Sequence, residues 1–383
     1  MEPYLPNYLK EKNRRLVFDL LRERGQMSRA EITRDTGMSF PTAMKVVDAF
    51  LEKGLLVELD ETGPAAGAGR KGRLLRFEPG AYRAVGVECE GRFARVGLAD
   101  MAGGVQARET IELGDFARTR DLSPLAAAIR RMCAAANGAP VLGVCIGFPA
   151  NLDPDAAAIV SYAAMDIQQP TSFAQVFPAF WREVELPVYL ENDANLACEG
   201  EAFLRRGAGG AANMLYLSIG SGCGGAVRLD GKLRRGARCR AGEVGAMLLQ
   251  PALGAPGRSA ARETLEDAVC LAALERRFGA ALRDGAQPGE ASAQAMRDYL
   301  CGPLSGAVYS LVMTLDVELC VLAGIVPGAL GMQLCTQVSE ALRAALPEST
   351  PVRVEPSVSA DAGVIGAAAT VFERSLDALL GSG

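Results

Sequence analysis

Twice in this chain a short apolar strand, a glycine turn and a returning strand open a run of alternating strands and helices. The first opening falls at Ala84-Val85-Gly86-Val87, with a turn around Gly91 and a return over residues 93–98. The second runs through residues 215–219 and 224–229, around Gly220-Ser221-Gly222-Cys223-Gly224-Gly225. Apolar segments at 141–148, 188–190, 319–323 and 352–354 read as further strands, and residues 122–136 as one of the helices between them. Such alternation predicts an α/β architecture. The repeated opening predicts a duplicated fold of two lobes with a cleft between them. With 383 residues, 49% of them hydrophobic, the chain is long enough for two or three domains.

The first eighty residues follow another pattern. Leu16, Val17, Leu20 and Leu21 recur at helical spacing ahead of Gly25, predicting a helix over 11–24. Ser28-Arg29-Ala30-Glu31 has the form of a capping box and opens a short helix that stops at Gly37. Ser39-Phe40-Pro41-Thr42 opens a third helix, with Ser39 as cap, Pro41 in the first turn, and Ala43, Val46, Val47, Phe50 and Leu51 on the inner face. Two capped helices around a short glycine-containing turn make a helix-turn-helix. Residues 55–59 and 74–77, joined by a Gly/Ala loop, predict the strands of a wing, although a small helical bundle with a hairpin contains the same parts. In the DNA-binding reading, Ser39, Phe40, Thr42 and Lys45 open the recognition helix, with Phe40 set to touch a thymine methyl. Arg70 and Lys71 lie in a glycine-flanked loop that suits a narrow minor groove; a solvated basic linker is the other reading of that loop.

Charge is divided along the same line. Residues 1–80 carry 14 Lys/Arg against 12 Asp/Glu, and the rest of the chain carries 26 against 33. A mildly basic head on an acidic body suits a DNA-reading module on a larger sensor. The ten cysteines contain no C-x-x-C pair and read as reduced thiols of a cytoplasmic protein. No apolar run is long enough to span a membrane, and the opening residues lack the form of a secretory signal. Histidine is absent, which removes the commonest metal ligand and the commonest general base.

Several short motifs, in order and spacing, resemble the ROK family of sugar kinases and repressors. They are Glu191-Asn192-Asp193-Ala194-Asn195 leading to Gly200-Glu201, the glycine run at 220–225, and Gly231-Lys232-Leu233-Arg234-Arg235-Gly236 leading to Ala241-Gly242-Glu243-Val244-Gly245. The capping box at Ser28, Thr36-Gly37 and the Ala-Gly-Arg-Lys run at 68–71 resemble the DNA-binding half of the family's repressors. The resemblance implies a winged helix-turn-helix over 1–79, a first actin-like, ribonuclease-H-like lobe over 80–190 completed by a C-terminal helix at 360–383, and a second lobe over 191–359. It implies that Asn192, Asp193, Glu243 and Glu266 line a ligand site, with Asp193 at the position of the kinases' general base; Asp and Asn at a strand end also serve as helix caps.

This chain departs from the kinase pattern at four places. The first phosphate turn reads Glu88-Cys89-Glu90-Gly91-Arg92, with Glu90 where the family has a glycine. A carboxylate there repels a phosphate chain, and the single charge of Arg92 does not rebuild a backbone cradle. The signature run ends in Ala246 instead of histidine; Pro251 and Leu253 stand at zinc-ligand positions; and Ala323-Gly324-Ile325 lacks the later glycine pattern. Phosphoryl transfer depends on positioning and phosphate electrostatics. The expectation is therefore a DNA-binding transcriptional regulator, a repressor, with a catalytically dead cleft, no cofactor and no metal. Its expected partners are a double-stranded operator and a small-molecule effector such as a sugar, and its expected state is a homodimer or homotetramer. The alternatives are a DNA-binding scaffold with no sugar ligand and an active sugar kinase. Signal is expected to pass through the stretch Phe77-Glu78-Pro79-Gly80, which Pro79 stiffens.

Overall fold

A computed structural model describes residues 6–62, 73–206, 212–249, 263–279, 282 and 288–380. The N-terminal unit contains α1 (Pro6–Arg24), β1 (Gln26–Ser28), α2 (Arg29–Thr36), α3 (Phe40–Glu52), β2 (Leu56–Thr62) and β3 (Arg73–Phe77). Helix α1 begins earlier than its leucine spacing indicates. The Ser28 hydroxyl accepts from the Glu31 N–H at 3.3 Å, and the Ser28 N–H donates to the Glu31 carboxylate at 2.8 Å, completing the capping box. Gly37 then ends α2 at φ 66°, a conformation that favours glycine. Strand β3 pairs antiparallel with both β1 and β2, forming the wing. Phe18 meets Phe50 and Phe77 edge-on at 6.4 and 5.7 Å, and Val17, Leu21, Ile32, Val47 and Leu75 close the core around them.

The first lobe contains β4 (Arg83–Glu90), β5 (Phe93–Asp100), β6 (Val105–Glu112), α4 (Phe116–Thr119), α5 (Ser123–Ala135) and β7 (Val141–Phe148). A small antiparallel flap follows, made of β8 (Asn151–Asp153), β9 (Ala158–Ser161) and β10 (Thr171–Ser172). Helices α6 (Phe173–Val176) and α7 (Pro178–Glu183) lead to β11 (Val188–Asn192) and α8 (Asp193–Leu204). The second lobe contains β12 (Met214–Ile219), β13 (Cys223–Leu229), β14 (Lys232–Arg234), α9 (Leu265–Val269), α10 (Leu271–Phe278) and α11 (Glu290–Leu315). It continues with β15 (Leu319–Ala323), α12 (Ile325–Leu330), α13 (Met332–Ala345) and β16 (Arg353–Pro356), and α14 (Ala362–Leu379) then returns to the first lobe.

The sheet orders are β11-β7-β4-β5-β6 and β14-β13-β12-β15-β16. In each, the first strand is central, the next two continue antiparallel on one side, and the last two run parallel on the other. The duplication expected from the two glycine turns is thus a duplication of topology.

The helix that follows each fifth strand reaches toward the other lobe. Helix α8 packs on β12 and β13, and α14 packs on β4, β5 and β7. The two helices cross with their backbones in contact. A Cβ at Gly200 would lie 1.8 Å from the Ala362 carbonyl oxygen, and one at Gly366 would lie 1.9 Å from that of Leu196. Only glycine fits at both places.

The N-terminal unit also docks on this crossing. Arg14 donates to the Leu380 carbonyl at 3.1 Å and pairs with Asp377 at 3.8 Å, and Arg15 reaches the same carboxylate at 3.9 Å. Arg22 is buried between Phe18 and Phe203, 5.2 and 4.9 Å from the ring centres, and bonds Asp19 at 2.7 Å. Burial, with Arg206 close by, lowers its pKa to about 10. No helix among the described residues is long and apolar enough to cross a membrane.

Candidate functional site

Between the lobes lies a cleft of about 980 Å³. The first lobe contributes Glu88, Glu90 and Arg95 from its opening hairpin, and Asn192 and Asp193 from the junction of β11 and α8. The second contributes the turn Gly220–Gly224, together with Glu243 and Glu266. All four residues that the resemblance assigned to a ligand site therefore line one cavity, although Glu266 is distant from the others in sequence.

Their roles there differ. Asn192 is largely committed to local structure. Its Oδ1 accepts from the Asn195 N–H at 3.2 Å, capping α8, and its Nδ2 donates to the Ala150 carbonyl at 3.3 Å. Asp193 opens the same helix and accepts from the Ala194 N–H at 2.9 Å. Burial raises its pKa to about 6, and the charges of Glu90 and Glu243 add to the rise. Glu243, at the cleft mouth, is raised as well; desolvation is the main cause, Glu266 adds to it and Arg240 opposes it. Glu266 accepts from the Cys223 N–H at 2.8 Å, so its carboxylate occupies a donor of the second glycine turn.

The first turn has a cross-strand ion cluster that sequence reading missed. Glu88 and Arg95 are directly opposed in the β4–β5 register. Arg95 pairs with Glu88 at 3.0 Å and with Glu90 at 3.4 Å. Arg92, the nearer cation in sequence, points away to Glu112 at 2.8 Å. Opposite charges at matched positions on either side of Gly91 were the available signal. Glu88 is pushed up to about 7, mainly by burial, with Arg95 opposing. The Glu90 carboxylate lies 3.0 Å from where a Cβ on Gly220 would stand, so it faces the second turn across the cleft.

On the N-terminal unit, Phe40 is 56% exposed and Lys45 is exposed, both at the start of α3. The Ser39 and Thr42 hydroxyls are within 2.8 Å of each other, and Ser39 also accepts from the Thr42 N–H at 3.4 Å. Ser39 is thus occupied as a cap. Arg70 and Lys71, and the stretch with Pro251 and Leu253, lie outside the described residues. Among the described residues, no group of three or more Cys, Asp or Glu is arranged to hold a metal ion.

Comparison with known proteins adds the following. The family model described as "ROK family" matches residues 84–374. A xylose repressor of Caldicellulosiruptor bescii is 27% identical over 241 residues, which is 62% of this chain and 58% of that protein. A glucokinase of Halalkalibacterium halodurans is 34% identical over 141 residues, covering 35% of this chain and 40% of the enzyme. The chain therefore matches less than two thirds of the length of these relatives. Among solved structures, a ROK family transcriptional regulator described as a homolog of the E. coli MLC protein superposes with TM-score 0.76 at 18% identity, covering 97% of this chain and 98% of that one. The Thermus thermophilus ROK hexokinase superposes with TM-score 0.59 at 26% identity, covering 76% of this chain and 98% of the enzyme. The two-lobe fold with its duplicated sheets, the motif run through Glu191–Asn195 and the family match together establish that this chain belongs to the ROK family.

Proposed function

We propose that this protein is a DNA-binding transcriptional regulator of the ROK type, acting as a repressor, whose cleft senses a small molecule and does not transfer phosphate. The observation that carries this reading is the pairing of two features in one chain. A winged helix-turn-helix with an exposed Phe40 and Lys45 is joined to a kinase-like cleft whose first phosphate turn bears Glu90. Phe40, Thr42 and Lys45 would meet base edges in the major groove, with Ser39 holding the helix start and Arg70 and Lys71 reaching the adjacent groove. Asn192, Asp193, Glu243 and Glu266 would hold the effector. Residues 1–79 would act as the reading unit, and the two lobes as the sensor.

The kinases among the relatives favour the competing reading, and Asp193 is present at the position of their base. Against it, a phosphate chain entering this cleft meets Glu90 at one turn and Glu266 at the other. Carboxylate–phosphate repulsion at contact distance is several kcal/mol at an effective dielectric near 20.

The docking of α1 supports a route for the signal beyond the Phe77–Gly80 stretch. Asp193 begins α8 in the cleft, and Phe203, near the end of the same helix, packs on Arg22 of α1. One rigid helix therefore links the ligand site to the DNA-reading unit. As a dimer, the molecule would read two half-sites, and a small rotation of the units would break their spacing.

The test is to incubate the intact chain with fragmented bacterial DNA, sequence what it retains, and measure sugar-dependent ADP release in parallel. Recovery of a two-fold symmetric site without ADP release is the expected result. Sugar-dependent turnover with no selected sequence would overturn the proposal.

A further inference from the structure

The charged groups that line this cleft are mostly carboxylates. Glu88, Glu90, Asp193, Glu243 and Glu266 face it with two arginines, Arg95 and Arg240. Arg95 is already paired with Glu88 and Glu90, and Arg240 donates to the Ser161 hydroxyl at 3.3 Å. The Glu243 carboxylate has no hydrogen bond among the described residues, and the Asp193 carboxylate accepts only from backbone N–H groups at its own helix start, those of Asp193 and Ala194.

A separate observation comes from Asn195. It is 7% exposed, and its Nδ2 donates to Glu191 at 2.9 Å, which fixes the amide with its oxygen turned away. That oxygen is buried and has no partner. It borders a small extension of the cleft walled by Asn151, Asn192, Gly242 and Glu243. A buried carbonyl without a donor costs about 1–3 kcal/mol, so this site is built for a donor to arrive.

Resting on the reading of the cleft as an effector site, we infer that its ligand is an unphosphorylated polyol bearing a primary ammonium group, the chemistry of an amino sugar, held by Asn195, Asp193 and Glu243. Hydroxyl and ammonium groups supply the donors that Asn195 and the carboxylates lack. The ammonium also offsets the mutual repulsion of these carboxylates, which adds to the burial that raises Asp193 and Glu88. A neutral sugar leaves that excess in place. A sugar phosphate adds to it, because the N–H of Cys223 is taken by Glu266 and Glu90 faces Gly220.

The test is calorimetry on the intact chain at neutral pH, without DNA. The probes are glucosamine, galactosamine and mannosamine, each beside its neutral parent sugar, its N-acetyl derivative and its 6-phosphate. At least one amine should bind about tenfold more tightly than its three counterparts, a gap of about 1.4 kcal/mol. Glu90→Gln, checked for folding by circular dichroism, should shrink that gap at least about threefold, and Arg92→Gln, outside the cleft, should leave it intact. A neutral, acetylated or phosphorylated probe binding as tightly as its amine, or no amine binding at millimolar concentration, overturns the inference. Because no DNA is present, the regulator reading is judged separately. A chain that selects an operator but prefers a neutral sugar fails only here, and one that binds an amine but no DNA fails only there.

Discussion

The β4–β5 and β12–β13 turns occupy the same topological place in the two lobes and have diverged in opposite ways. Each joins the central strand of its sheet to the next, and each faces the cleft. The second keeps three closely spaced glycines within Gly220–Gly224, and the Gly220 N–H bonds the Gly222 carbonyl at 2.9 Å in a tight loop. The first carries Glu90 and closes with a salt-bridge cluster on Arg95. The backbone path alone therefore does not decide what an active-site turn admits. On the proposed reading, one side chain on the first turn and one carboxylate lent to the second by Glu266 make both turns poor cradles for an anion.

The comparison can be broken at the crossing that holds the lobes together. Gly200→Ala puts a methyl group against the Ala362 backbone, and α8 and α14 cannot separate without disturbing both sheets. A loss of about 3 kcal/mol is expected in urea denaturation, at the upper end for overpacking. An unchanged midpoint would mean that the helices have room to shift.

A smaller effect distinguishes the first turn by pH. Glu88 is held up to about 7 in the folded chain, against an ordinary value of 4.5. Between those values the folded state binds more protons than the unfolded one, so the stability this provides is whole below pH 4.5 and is lost as pH rises through 7. Asp193, raised to about 6 from 3.8, acts in the same direction. From pH 5 to pH 8 the chain should lose about 2 kcal/mol through Glu88, and Glu88→Gln should flatten that slope. Denaturation at the two pH values measures it, and equal slopes in both proteins would remove Glu88 from the explanation.

The smallest of these effects restores the likeness between the turns. Glu90→Gly combined with Glu266→Gln should raise affinity for inorganic pyrophosphate about tenfold, or about 1.4 kcal/mol, by calorimetry. No gain would mean that the carboxylates are not what keeps phosphates out.

Much of this arrangement was legible in the sequence, because it rests on local signals. Caps at Ser28 and Ser39, glycine stops, and unbroken apolar strands such as Val141–Phe148 announce themselves in short windows. Strand β6 was missed although Val105, Ala107, Glu109 and Ile111 alternate with polar neighbours; the interleaved charges masked the period of two. Other features depend on long-range geometry and leave no local trace. Arg95 is recognisable only once its strand register is known, the burial of Arg22 only once Phe203 is placed beside it, and the exchange of α8 and α14 only once both sheets exist. Asn192 was read as a ligand-site residue or a cap, and its side chain serves as the cap while its position lines the cleft.

The most direct measurement sets two single substitutions against each other on a selected operator, reading DNA affinity by gel shift and ligand affinity by calorimetry. If α3 reads DNA and the cleft senses the effector, Lys45→Ala weakens operator binding and leaves ligand affinity unchanged. Asp193→Ala leaves operator binding without ligand nearly unchanged and abolishes its response to ligand. An Asp193→Ala protein that responds to the effector like the parent would contradict the assignment of the cleft as the sensor.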